Sequence, residues 1–156
     1  MLRDYINVYG TGIYCPHKDK GILLFGSSGS GKTTLAHNLV EQHGFLHVGD
    51  DCLSIDTRSK KMSWGSIQLG GDRMELPGDV AGKTQLIYVP KEKRLYEASI
   101  NLGVYVSRLG NINTGRSCLD GTMDAWHYLE ESKVPIIRLD VADRPRTTLE
   151  FLLKRI

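Results

Sequence analysis

A chain of 156 residues is long enough for one domain with a substantial core, and 40% apolar with 24% charged residues suits an ordinary soluble globule. The formal charge of +2 is too small to imply a nucleic-acid or membrane partner, no apolar run approaches a membrane span, and the N-terminus lacks a signal-peptide core. Three cysteines, Cys15, Cys52 and Cys118, without a C-x-x-C pair argue for reduced thiols in a cytoplasm, and His17 beside Cys15 is too little ligand density for zinc.

In chain order, Tyr5-Ile6-Asn7-Val8-Tyr9 alternates as a strand does. Gly10-Thr11-Gly12 reads as a turn, with Ile13-Tyr14-Cys15 returning as a second strand. Pro16 to Gly21 is a polar turn into Ile22-Leu23-Leu24-Phe25, an apolar run with the character of a buried strand. That run delivers Gly26-Ser27-Ser28-Gly29-Ser30-Gly31-Lys32-Thr33, which fits the phosphate-loop pattern G-x-x-x-x-G-K-[ST]. Leu35, Ala36, Leu39 and Val40 follow at helical spacing, and Gly44 is placed to stop the helix after about Gln42 or His43. Strand, glycine loop and helix together are the context that this motif requires. The glycines expose backbone N–H groups, which with the helix start attract phosphate oxygens. Lys32 adds a cation able to reach the β- and γ-phosphates, and the Thr33 hydroxyl is suited to Mg²⁺.

Phe45-Leu46-His47-Val48 reads as a short strand that delivers Gly49-Asp50-Asp51. Alone, these three residues would be a surface turn. After a phosphate loop and at a strand's end, they suit metal and proton chemistry: one carboxylate holds Mg²⁺ directly or through water, the other accepts a proton from an attacking hydroxyl. Asp50 is the provisional base; spacing does not divide the two roles.

Leu53-Ser54-Ile55-Asp56 and Met62-Ser63-Trp64 flank a basic, solvated tip and predict a hairpin. Gly65 to Gly82 is glycine-rich and loop-like, and contains Glu75. A second hairpin is predicted from Leu86-Ile87-Tyr88-Val89 and Leu95-Tyr96-Glu97-Ala98, and a strand over Leu102–Val106. Arg108 and Arg116 are surface charges or phosphate contacts. Thr122 caps a predicted helix with Trp126, Leu129 and Glu130, and Val134 to Val141 reads as a strand. Thr147-Thr148-Leu149-Glu150 fits a capping box ahead of Leu152, Leu153 and Ile156; Arg144 and Arg146 lie just before this helix, facing a nucleotide or solvating the turn. No repeat or linker divides the chain, so one domain over residues 1–156 is expected. Hairpins mixed with helices predict a mixed sheet, in which the strand–loop–helix–strand unit can still hold a parallel crossover.

The stretch from Gly26 through Thr33-Thr34-Leu35, with Val48-Gly49-Asp50-Asp51, resembles the nucleotide site of the HPr kinase/phosphorylase family and is similar to that of the related ATP-dependent phosphoenolpyruvate carboxykinase. Ile6-Asn7-Val8-Tyr9-Gly10, Val134-Pro135-Ile136 and Val141 to Arg146 extend the likeness over most of the chain, though only the loop and the Asp pair are specific. The resemblance implies an α/β P-loop fold, a PEP carboxykinase-like or HPr kinase-like mixed β-sheet with flanking helices. It implies an ATP- and Mg²⁺-dependent phosphotransferase in which Gly26, Ser27, Ser28, Gly29, Ser30, Gly31, Lys32, Thr33 and Thr34 bind nucleotide. Lys32, Asp50 and Asp51 are then catalytic, and Thr33, Asp51 and Glu75 serve the metal. The family forms rings, so a homo-oligomer is implied, for which the chain carries no interface signal. The chain departs from the family where Leu2-Arg3-Asp4 replaces its active-site His, where Pro77 stands for an Arg, and in an insertion from Pro16 to Lys20. A kinase acting on another acceptor, a protein Ser, a peptide or a small hydroxyl compound, therefore fits better than one acting on HPr. The alternative is an ATP/ADP-binding regulatory module with little catalysis. A decarboxylating carboxykinase would need a far longer chain.

Overall fold

The computed structural model describes residues 4–26, 32–50, 53–64, 91–107, 122–140 and 145–156. Among them the elements are β1 (Tyr5–Val8), β2 (Gly10–Cys15), β3 (Lys20–Phe25), α1 (Lys32–His43), β4 (Leu46–Gly49), β5 (Leu53–Asp56), β6 (Lys61–Trp64), β7 (Glu97–Ser99), β8 (Leu102–Ser107), α2 (Thr122–Glu131), β9 (Ile136–Asp140) and α3 (Pro145–Leu153).

The strands form two sheets. The larger has five strands in the order β4-β2-β3-β8-β9. β2 runs antiparallel to both β3 and β4, whereas β8 and β9 add to β3 in parallel. β4 therefore runs in the same direction as β3, with β2 between them. The unit β3–loop–α1–β4 is thus a parallel crossover that steps over one strand. The smaller sheet has four strands, β1-β5-β6-β7, all antiparallel.

The alternation of β3 explains how the layers meet. Ile22 and Leu24 join a core with Leu35, Ala36, Leu39 and Val40 of α1 and Leu149 and Leu152 of α3. Leu23 and Phe25 join a second core with Ile55, Met62 and Leu129, beneath the smaller sheet and α2. A strand buried on both faces has no polar positions to spare, which is why Ile22–Phe25 is unbroken apolar sequence. The two cores close against each other only if nothing large stands between the strands. A Cβ added to Gly21 would lie 1.7 Å from the Ser99 carbonyl oxygen, and one on Gly103 would lie 2.5 Å from a Leu129 methyl.

Three expectations are corrected. Gly10-Thr11-Gly12 is not a turn: all three residues belong to β2, and β1 pairs with β5 in the other sheet rather than with β2. The glycines serve close packing instead of chain reversal. A Cβ on Gly10 would lie 2.6 Å from the Leu24 carbonyl, and one on Gly12 would lie 3.0 Å from Met62 Sδ. The last helix starts at Pro145, not Thr147, so the expected capping box, Thr147 to Glu150, falls inside the helix rather than at its start. Pro is well suited to that opening position, where its missing N–H has no helical partner to lose. The second hairpin is only partly testable, since residues 86–89 lie outside the described residues. Its other half differs: β7 begins at Glu97 and pairs with β6, while Arg94 bridges His47 of β4.

The remaining predicted elements are present. β5 and β6 form the hairpin with register Asp56↔Lys61 to Leu53↔Trp64. The Asp56 carboxylate accepts the N–H groups of Arg58 and Ser59 at its tip, and the Arg58 amide above all holds that carboxyl below its usual range. At the tip Arg58 and Lys60 are exposed and Lys61 is half-buried, with Arg58 beside Asp4 and Lys61 beside Glu97, as suits a solvated turn. Gly44, at φ 73°, terminates α1.

Two glycines separate crowding from backbone strain. Gly21→Ala meets backbone and is expected to lower stability by about 3 kcal/mol or more, in the range reserved for severe overpacking. Gly44→Ala meets only His17 Nε2 at an ordinary van der Waals 3.9 Å and costs the left-handed penalty, about 1–2 kcal/mol. Urea unfolding of both variants checks the order, and equal midpoints would remove the crowding argument.

Candidate functional site

The site lies where β3 and β4 end and β2 begins, near the start of α1. β3 leaves the sheet at Gly26, whose φ of 142° is a conformation that L side chains rarely adopt. Its backbone also runs against β8: a Cβ there would lie 2.2 Å from the Val106 carbonyl oxygen. The first loop glycine is therefore required by its fit to the neighbouring strand as well as by its dihedral.

Lys32 opens α1 and is 5% exposed. A buried ammonium demands polar partners. Its Nζ donates to the Gly26 carbonyl oxygen at 2.9 Å, across the ends of the phosphate loop. The same Nζ lies 5.2 Å from the centre of the Tyr9 ring, a cation–π distance. Tyr9 joins β1 to β2 and is 38% exposed, so the residue next to the lysine also reaches solvent.

Thr33 is the next helical residue. Its Oγ1 donates to Asp50 Oδ1 at 3.1 Å, joining the phosphate-loop helix to the acid after β4. A second hydroxyl reaches the same oxygen, Thr11 Oγ1 of β2 at 2.8 Å. The register of β2 against β4 shifts between Gly12↔Gly49 and Ile13↔His47, which leaves Val48 as the extra residue of a β-bulge. Such a bulge bends and twists its strand, here just before Asp50 leaves it. Thr34, the following residue of α1, is exposed.

The structure thus brings together Gly26, Lys32, Thr33 and Asp50 of the residues expected from sequence. Ser27, Ser28, Gly29, Ser30, Gly31, Asp51 and Glu75 lie outside the described residues, as do Arg108, Arg116 and Arg144. Two participants were missed: Thr11 and Tyr9. A signal for Thr11 exists in the alternation Thr11, Ile13, Cys15, where Ile13 and Cys15 face the core under α1. Reading Gly10 and Gly12 as turn residues concealed it.

The oxygen donors fit a hard divalent cation: a threonine hydroxyl and a carboxylate oxygen are ligand types that Mg²⁺ takes beside phosphates. Residues 22–88 match the family model described as an AAA domain. The matched stretch contains β3, the glycine loop, α1, β4 and the acid pair. With the geometry above, it marks a P-loop nucleotide-binding, kinase-like domain. Comparison with curated proteins gives no match.

Gly26→Ala is expected to weaken nucleotide binding by about tenfold or more, because the loop's first amide must move away from Val106. A fluorescent ADP analogue titrated against wild type and variant, each confirmed folded by circular dichroism, measures it. Unchanged affinity would show that the loop tolerates displacement at this end.

Proposed function

We propose that the protein is an ATP- and Mg²⁺-dependent kinase that transfers the γ-phosphoryl group to a hydroxyl, with roles resembling those in HPr kinase. The observation that carries the reading is the Thr33–Asp50 hydrogen bond, which sets an acid beside the helix start that faces the phosphates. In this reading the acceptor oxygen attacks the γ-phosphorus, the new O–P bond forms, the bond to the β-bridging oxygen breaks, and ADP leaves. Asp50 takes the acceptor's proton. Lys32 exchanges the Gly26 carbonyl for phosphate oxygens and stabilises charge on the transferred group, while the amides of residues 26–33 cradle the chain of phosphates.

Mg²⁺, when bound, neutralises charge across the β- and γ-phosphates, and Thr33, Asp51 and Glu75 are the residues assigned to hold it. The Thr33 hydroxyl suits this role because it has one proton, given to Asp50, and lone pairs that remain for a cation. Thr34 borders the nucleotide from the helix. The acceptor is a protein Ser, a peptide or a small hydroxyl compound, and neither nucleic acid nor membrane is a partner. No helix among the described residues is long and apolar enough to cross a membrane. A cytoplasmic setting suits the buried free thiol of Cys15, and the proposal treats residues 1–156 as one domain with a homo-oligomer as its assembly.

A transfer screen with labelled γ-phosphate against lysate fractions and hydroxy metabolites tests this. Lys32→Ala is expected to reduce transfer by roughly 10²-fold or more. Asp50→Asn is expected to reduce it by roughly 10²- to 10⁴-fold while retaining ADP binding. Wild-type transfer by Asp50→Asn would remove the base role. Tight ATP binding by the wild type with no transfer to any acceptor would turn the assignment to a nucleotide-sensing regulatory module.

A further inference from the structure

The two hydroxyls on Asp50 Oδ1 are not equivalent. Thr33 belongs to the helix that receives the nucleotide, and its oxygen is the one assigned to the cation. Thr11 belongs to β2, which is hydrogen-bonded along both edges, to β3 and to β4. It is 1% exposed, and a buried hydroxyl must place its proton on an acceptor or bear the cost of desolvation. Its β-branched side chain has little rotamer freedom. Its bond to Asp50 is also the shorter, 2.8 Å against 3.1 Å. Asp50 itself lies beyond a bulge, where the strand's own pairing does not orient it.

We propose that Thr11 is a positioning residue for the phosphoryl-transfer site: its hydroxyl, fixed on the central sheet, holds the Asp50 carboxylate in its working orientation while the Thr33 hydroxyl serves nucleotide and cation. The division of labour is one static donor from the sheet and one donor shared with the ligand. The flanking glycines follow from the same need. Gly10 and Gly12 let β2 run close to β3, β4 and Met62, which brings Thr11 within reach of the acid. This inference rests on the assignment of Asp50 to the reaction.

The test compares Thr11→Val, which keeps shape and removes the hydroxyl, with Thr11→Ser, which keeps the hydroxyl. Release of labelled phosphate from Mg²⁺-ATP, with water as acceptor, reads the chemical step. A fluorescent ADP analogue, titrated in magnesium and in chelator, reads binding. Thr11→Val is expected to lower kcat by roughly 10- to 100-fold, the scale of a misplaced catalytic group, with KM and ADP affinity within about twofold of wild type. Thr11→Ser is expected to restore kcat to within about threefold of wild type at an equal or lower unfolding temperature. A structural role alone would instead track the unfolding temperature and give no rescue by Ser. Wild-type kcat in Thr11→Val, with Asp50→Asn inactive, overturns the positioning role and leaves the kinase reading intact. Wild-type kcat in Asp50→Asn overturns both.

Discussion

Between Gly26 and the carbonyl of Val106 there is no room for a side chain: a Cβ would come within 2.2 Å of that oxygen. The phosphate loop therefore begins while its backbone is still pressed against β8. β8 pairs in parallel with β3 from Ile22↔Leu102 to Phe25↔Tyr105, so the direction in which the chain leaves the sheet is set by four paired residues. Both faces of β3 are buried, beneath α1 and α3 on one side and beneath the smaller sheet and α2 on the other. Movement of the strand would open two cores together. A loop whose amides must meet phosphate oxygens at hydrogen-bond distance needs a base of this stiffness.

Charge within the site is arranged as a set of exchangeable contacts. Lys32 donates to a carbonyl and lies over an aromatic ring, and neither of these two partners carries a full negative charge. A phosphate oxygen, which does, is a better partner for the ammonium than either. Asp50 accepts hydrogen bonds from two neutral donors, the Thr11 and Thr33 hydroxyls.

Sequence alone revealed much of this where residue types act through backbone geometry. Gly-x-x-x-x-Gly-Lys-Thr names its chemistry because few other uses need those residues at that spacing. The continuous run Ile22–Phe25 announced a strand covered on both sides, and Gly44 announced the end of α1. What escaped was set by tertiary packing. Gly10 and Gly12 look like turn residues in a local reading, and only the Leu24 carbonyl, Met62 and Val48 on neighbouring strands show why they lack side chains. Thr11 could not be linked to Asp50 across 39 positions without knowing that β4 adds to β2. The pairing of β1 with β5, in place of a β1–β2 hairpin, is likewise a choice between sheets that alternation does not encode. The likeness to HPr kinase reached the right class of domain through its two specific motifs, and the matched family model bears on that class alone.

The parallel neighbour of β3 comes late in the chain. Gly21 and Asn101, which exchange hydrogen bonds at the start of this pairing, are separated by 80 positions. During synthesis from the N-terminus, the first hairpin, the glycine loop and α1 emerge well before the strand that completes β3. One edge of a highly apolar strand then stays open until residues 102–107 have been made. Nascent chains of this length are exposed to mispairing for that interval, and contacts so distant along the polymer slow the approach to the native state. Until about residue 107 has been made, β3 lacks the parallel neighbour against which Gly26 packs at the start of the phosphate loop.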